Sequence, residues 1–243
     1  MKQRLDSELV RRGLVPTRSQ AESWIKMEKV TLNGRIIKKP GHFVNQDDVL
    51  KLTAEEQYVS RAGLKLSSVA EVLKLDFKDK IVLDVGSSTG GFTDYALRHG
   101  AKKVYAIDVG TDQLHPSLRK HPKIELHEKT DIRDYYMKVV PNIIVIDVSF
   151  ISLREILPHL YNFLSDESTQ VVAMVKPQFE AGKDQTNKGI IKNDAMRRQI
   201  LRDFEAWSRQ YFVQVDKRDS DVAGAKGNQE RFYLLRPLRK TSK

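Results

Sequence analysis

The chain has no cysteine, so disulfides, thiolate metal sites and cysteine nucleophiles are excluded at the outset. That composition suits a reducing cytoplasm, which is the expected location. No apolar run approaches the roughly 18 residues of a membrane span. The opening MKQRLDSELV also lacks the continuous apolar core of a secretory signal. Metal-ligand spacing is missing as well: His42, His99, His115, His121, His127 and His159 form no H-x-x-x-H pair, and no metal is expected. No internal repeat or low-complexity tract is present. What remains is 243 residues, 40% hydrophobic and 30% charged, a soluble globular balance with room for a small module beside an ordinary core.

One sign of charge dominates. Lysine and arginine number 42 against 32 acids, a formal net charge of +10. Such a surface favours phosphate-rich partners, because each neutralised phosphate releases counterions. A solubility charge reads equally well from the total, so placement decides.

Pattern and composition divide the chain near residues 53–60, giving an expected front module over 1–58 and a second unit over 59–243. Leu5, Leu9 and Val10 share a helical face that Gly13 ends. Thr17, with Gln20 three residues on, reads as a capping box opening a second helix. Ala21, Trp24, Ile25 and, less cleanly, Met27 supply its inner face. Val30-Thr31-Leu32 runs into Asn33-Gly34, a strong hairpin signal, and Arg35-Ile36-Ile37 returns. Asp48 to Leu52 reads as a closing strand. The stretch RLDSELVRRGLVPTRSQAESWIKMEKVTLNGRIIKKPGHFV resembles the S-four type RNA-binding domain. The resemblance implies an RNA face, for which Arg4, Arg11, Arg12, Arg18, Lys26, Lys29, Arg35, Lys38 and Lys39 are the candidates. The alternative for each is a solvated side chain.

From Ile81 the pattern becomes strand–helix alternation. Ile81–Val85, Lys103–Asp108, Asn142–Asp147 and Gln170–Val175 read as buried parallel strands. Helices are expected over 90–98, around 151–164 and over 194–209. Phe212–Val215 and Glu230–Leu235 suit an antiparallel edge. The fold class is therefore α/β, a doubly wound Rossmann-like sheet behind a small α+β module.

The most informative stretch is LDVGSSTGGFTDYAL. A strand ends at Gly86, and Ser87, Ser88 and Thr89 lead through Gly90-Gly91 to Phe92 in a helix. Glycine permits a tight turn and close ligand approach, and the helix start offers free N–H groups. Asp108 ends the next strand, placed for a ribose diol. Helix–strand packing alone would explain a lone glycine pair. The full combination favours a nucleotide, and the spacing is not the dinucleotide G-x-G-x-x-G. S-adenosylmethionine has no phosphate, and Asp84 near the loop suits its ammonium group. Methyl transfer therefore leads over NAD-dependent hydride transfer. Asp131 stands where such folds meet the adenine edge, although an ordinary turn aspartate fits it nearly as well.

Four charged residues occupy telling places. Lys65 lies in YVSRAGLKL, Asp147 and Lys176 end buried strands, and Glu230 opens the last strand. Lys176 is hardest to dismiss, because its strand of Val, Ala and Met would otherwise bury an unrewarded charge. Lys65 and Glu230 taken singly read as surface charges. Phe150 and Phe179 could stack on a flipped base, but loop or core packing is the expectation. Gly182 to Lys192 suits a mobile loop over RNA.

The motifs SRAGLKL, LDVGSSTGGFTDYAL, AIDVG, IDVSFISL, VKPQFEAGK and GAKGNQE, in this order, resemble the TlyA family of rRNA 2′-O-methyltransferases, historically also labelled haemolysin A. The likeness runs from Arg4 to about Tyr233. It implies a class I, FtsJ-like catalytic domain with a Lys-Asp-Lys-Glu tetrad falling on Lys65, Asp147, Lys176 and Glu230. It also implies S-adenosylmethionine as donor and a ribosomal subunit or its rRNA as partner. Ala225 stands where many relatives carry proline, and Ser88 or Thr89 where they carry proline or alanine. The short basic tail after Leu235 resembles the family's shorter form, which implies a large-subunit rRNA cytidine as target. A ribose hydroxyl is a weak nucleophile, and a lysine at its ordinary pKa of about 10.4 is a poor base. The expectation is that Lys176 serves as general base or stabilises the alkoxide, while Lys65 positions the hydroxyl. Two alternatives stand beside this reading. A membrane-lytic protein would need an insertion segment, and none is visible. A non-catalytic ribosome-assembly factor would tolerate changes at Lys65, Asp147 and Lys176.

Overall fold

A computed structural model describes residues 2–15, 17–53, 58–182, 186, 187, 189–191, 193–224 and 227–240. Much of the expected 182–192 loop and Ala225 lie outside the described residues.

The front module follows its local signals closely. β1 (Gln3–Arg4) leads into α1 (Leu5–Arg11), and Gly13 turns the chain at φ +69°. Thr17 caps α2 (Arg18–Lys26) by accepting from the Gln20 N–H at 3.2 Å. β2 (Val30–Leu32) and β3 (Arg35–Ile36) form the hairpin, with Asn33 and Gly34 at φ +48° and +80°. Both values fit the two-residue turn that matches strand twist. β4 (Phe43–Val44) pairs with β1, a two-residue ladder the sequence does not announce. β5 (Leu50–Leu52) is shorter than expected. Asp48 leaves the strand because its carboxylate accepts from the Asn45 backbone and the Asn33 side chain.

The larger unit is a seven-stranded sheet flanked by helices. In chain order it uses α3 (Arg61–Ala70), β6 (Ile81–Val85), α4 (Gly91–Arg98), β7 (Lys103–Ile107), α5 (Pro116–Arg119), β8 (Ile124–His127) and β9 (Ile143–Ile146). α6 (Leu157–His159), β10 (Gln170–Val175), α7 (Pro177–Glu180), the small hairpin β11 (Thr186–Asn187) and β12 (Ile190–Ile191), α8 (Asp194–Ser208), β13 (Phe212–Asp219) and β14 (Arg231–Pro237) follow. The strand order is β13-β14-β10-β9-β6-β7-β8. The β10-to-β8 part is parallel, and β13 and β14 are antiparallel. Segment 151–164 is not the regular helix expected. It is a 3-10 turn (Leu153–Glu155), then α6, then a π turn (Leu160–Leu164). Pro158 lacks the N–H that a continuous helix would need there.

Strand alternation sorts side chains onto two faces. Val82, Val104, Ile143, Val145, Val172, Met174 and Phe232 pack on one face with α3 and α4, while Leu83, Ile144, Ile146, Val171, Ala173 and Tyr233 pack on the other with Leu157, Leu160 and Phe204. The first cluster continues without a break into Leu5, Leu9, Trp24 and Val30 of the front module. The Gln20 side chain also donates to the Tyr58 carbonyl at 3.2 Å.

Candidate active site

The same alternation that builds the core delivers the charges. Counting on from Val145 and Met174, Asp147 and Lys176 fall on the α3 face of the sheet. β14 runs antiparallel to β10 with Arg231 opposite Val175, so Glu230 stands beside the end of β10. Counting back from Phe232 puts it on the α3 face too. Lys65 reaches the same edge from within α3. The four side chains form two ion pairs. Lys65 Nζ lies 2.6 Å from Glu230 Oε2, and Lys176 Nζ lies 2.6 Å from Asp147 Oδ1. All four are largely buried, with side-chain exposures of 3–15%. Lys176 also donates to Ser149 Oγ at 2.7 Å. Gly224 leaves room for Glu230, since a Cβ there would lie 2.7 Å from Oε1.

Beside this edge a cleft of about 370 Å³ is lined by Gly86, Ser88, Asp108, Asp131 and Asp147, with apolar walls from Ile107, Val109, Ile132, Ile151 and Ile156. Gly86 adopts φ +80°, and a Cβ would lie 2.6 Å from the Asp147 carbonyl. Only glycine meets both conditions without strain. Asp108 accepts from the Ser88 and Gly110 backbone N–H groups at 2.8 and 2.7 Å. Asp131 caps the 3-10 turn at Ile132–Asp134 and pairs with Arg133 at 2.6 Å. The Arg133 hydrogen bond holds its carboxyl below the usual range. Asp131 thus caps the turn and lines the cleft at once.

Asp84 is wholly buried on the α4 side, where Oδ2 accepts from Thr93 at 2.6 Å. Burial pushes its carboxyl up to about 7, against the Thr93 bond, and the neighbouring Asp147 and Asp108 charges add to the rise. Among the described residues Asp84 Oδ1 and Ser87 Oγ, both buried, find no hydrogen-bond partner. Unsatisfied buried oxygens at the end of a glycine loop suit a ligand that brings its own donors. An ammonium group would do so.

Comparison with known proteins decides the lineage. A profile described as FtsJ-like methyltransferase matches residues 58–236, and an S4 domain profile matches residues 3–50. The candidate rRNA methyltransferase YqxC of Bacillus subtilis is 40% identical over 241 residues, covering 96% of this chain and 85% of that protein. The 23S rRNA (cytidine-2′-O)-methyltransferase TlyA of Campylobacter jejuni is 38% identical over 238 residues, covering 89% and 93%. This chain belongs to the TlyA family of FtsJ-like methyltransferases. A solved structure of a candidate hemolysin from Streptococcus thermophilus resembles it with a TM-score of 0.72 at 39% identity, covering 97% of this chain and 88% of that one.

Within this TlyA-family fold not every expected residue meets the cleft. Gly91 serves helix packing: a Cβ would fall 2.3 Å from Ser60 Oγ and 2.6 Å from the Gly63 nitrogen, where α3 crosses α4. Gly90 caps α4 at φ +90°, and a Cβ would strike Leu114 and Leu118. Phe92 turns its ring into the core, 6.0 Å from Phe232. Thr89 meets the loop through its carbonyl, which accepts from the His115 N–H. Phe150 departs from the packing expectation. It is 92% exposed at φ +66°, lines the cleft, and lies 5.2 Å from the Phe179 ring.

The candidate RNA residues divide into two groups. Arg4 and Arg18 share the buried Asp6, and Arg11 and Arg12 share the buried Glu8. Arg12 also donates to the Asn45, Gln46 and Asp48 carbonyls, so it holds a loop together. Lys38 pairs with Glu28, and Lys26, Lys29, Arg35 and Lys39 are exposed.

Sequence reasoning missed Ser149, Thr93, Gln113 and Glu180. Ser149 was detectable, because two residues beyond Asp147 the strand alternation returns to the same face. Gln113, which accepts from Ser88 Oγ at 3.0 Å, sits in an irregular loop that carries no periodic signal.

Proposed function

We propose that this protein methylates a ribose 2′-hydroxyl of rRNA, with S-adenosylmethionine as donor and a large-subunit cytidine as target. The two buried lysine–carboxylate pairs beside a glycine-lined cleft carry the reading. The Rossmann-type unit over 59–243 performs the transfer, and the basic unit over 1–58 engages rRNA or the ribosomal subunit in the cytoplasm. Among the described residues no helix is long and apolar enough to cross a membrane.

S-adenosylmethionine, when bound, supplies an electrophilic methyl group on a sulfonium. Asp108 is assigned the ribose diol, Asp84 and Ser87 the amino-acid ammonium, and Asp131 the adenine edge. Apolar walls at Ile107, Ile132 and Ile156 exclude water from this end. Lys176, held by Asp147 and Ser149, acts on the 2′-hydroxyl by stabilising the alkoxide that develops as the hydroxyl proton is released to water. Lys65, fixed by Glu230, positions that hydroxyl for in-line attack. Phe150 is accessible for stacking on the target base. The test is tritiated methyl transfer to isolated ribosomal subunits, followed by mapping of 2′-O-methyl positions. Incorporation at a ribose oxygen is expected; no incorporation into any ribosomal particle overturns the reading.

A further inference from the structure

Glu180 is a buried carboxylate beside the catalytic edge that the reaction above leaves without a role. Its side chain is 1% exposed, and burial raises its carboxyl above the ordinary range despite two short hydrogen bonds. Those bonds cross between the two loops that carry the Lys176–Asp147 pair. Oε2 accepts from Ser152 Oγ at 2.6 Å, and Oε1 accepts from the Leu153 N–H at 2.7 Å. Ser152 Oγ in turn accepts from the Arg154 N–H, and the Arg154 guanidinium lies 3.7 Å from Glu180. Lys176 opens the turn that ends at Glu180, and Asp147 opens the loop that ends at Ser152.

Between these ends the same two loops meet twice more, through Lys176–Ser149 and through the Phe150–Phe179 rings. Phe150 is almost fully exposed in a left-handed backbone conformation, so its own packing does not hold it. Tethers at both ends of the loop hold it instead. We infer that Glu180 is a positioning residue for methyl transfer, clamping the loop after β9 to the turn after β10. The clamp fixes Lys176 and the Phe150–Phe179 pair against each other. The inference rests on the proposed reaction for its consequence, but the clamp itself is independent of that reaction.

The shape of the site suggests which variants separate positioning from folding. In Glu180→Gln the carbonyl can still accept from Leu153, and the amide can donate to Ser152, so the conservative variant preserves the tie. Glu180→Ala loses both bonds, and Ser152→Ala loses one. With saturating cofactor and ribosomal subunits, kcat should fall about 30-fold in Glu180→Ala and about 5-fold in Ser152→Ala, because small misplacements of reacting groups are costly. Glu180→Gln should recover to within about 5-fold of wild type. The Glu180→Ala/Ser152→Ala double variant should equal Glu180→Ala within about 2-fold, since both act through one contact. Cofactor affinity by calorimetry should stay within about 2-fold throughout. Amide exchange at Leu153 should quicken in both alanine variants at temperatures where each remains folded.

Wild-type kcat in Glu180→Ala, or losses that multiply in the double variant, would overturn the positioning role. Unchanged Leu153 exchange would overturn the clamp. A wild-type protein inert on ribosomal particles would overturn the reaction and the catalytic sense of the clamp together, while Leu153 exchange would still judge the contact. Should Glu180→Ala fail to fold, Ser152→Ala and the exchange measurement decide the matter.

Discussion

The front module and the catalytic edge both bury carboxylates against cations, but in different proportions. In the module four arginines surround two carboxylates, Asp6 and Glu8. At the candidate catalytic edge Lys65 and Lys176 each face one carboxylate, and among the described residues no cation pairs with the buried Asp84. The surplus in the module leaves positive charge facing solvent, where a phosphate would meet it. The one-to-one pairs hold lysines dry and still, where a charge acts at short range. The bare Asp84 is a cost that a cationic ligand would repay.

The catalytic end of the comparison breaks first. Lys176→Ala should lower methyl transfer at least about 1,000-fold while calorimetry finds cofactor affinity within about 2-fold. A fully active variant would remove Lys176 from the mechanism.

Asp84 sharpens the contrast next. Its carboxyl is raised to about 7 by burial, so the folded protein holds that proton more tightly than the unfolded chain does. Asp84 therefore costs stability as pH rises from about 4 to about 7. Asp84→Asn should raise stability at pH 8 by about 1–3 kcal/mol and weaken cofactor binding about 10-fold. In the wild type, cofactor affinity should climb with pH through about 7 and then level off. A pH-independent affinity would detach Asp84 from the ammonium group.

Smaller effects belong to the module. Arg18→Ala should weaken rRNA binding about 3- to 10-fold and flatten its salt dependence by about 0.7–0.9 in slope, with kcat at saturating RNA unchanged. An unaltered salt slope would make Arg18 a purely structural partner of Asp6.

The least effect is on acid stability. Burial works to raise Asp6, but the Arg4 and Arg18 hydrogen bonds win and hold it at about 2. The Arg11 hydrogen bond leads in holding Glu8 at about 2. Stability from these groups is complete above the ordinary carboxylate range near 4 and is lost as pH falls through about 2. Thermal melts should fall by a few degrees across that window, and Asp6→Asn should flatten the fall.

Much of this was legible in local pattern. The capping box at Thr17 and Gln20, the Asn33-Gly34 turn and the buried strands β6, β9 and β10 form where short-range spacing put them. Segment 151–164 did not, because its apolar residues keep a helical rhythm while Pro158 breaks the hydrogen-bond ladder. Phe150 was expected to pack, as most phenylalanines do, but on a left-handed backbone it stays almost fully exposed with the Phe179 ring beside it.

By itself the sequence determined which residues face the same side of each strand, where the glycine loop turns, and that a basic module precedes an α/β sheet. These follow from periods of 2 and 3.6 and from glycine's freedom, all properties of neighbouring residues. Tertiary structure alone decided that Lys65 meets Glu230, that Gly63 and Gly91 let α3 and α4 touch, and that Glu180 ties the loop after β9 to the turn after β10. Those contacts depend on strand order and helix placement across the whole chain, and no local spacing encodes which distant carboxylate a lysine will find.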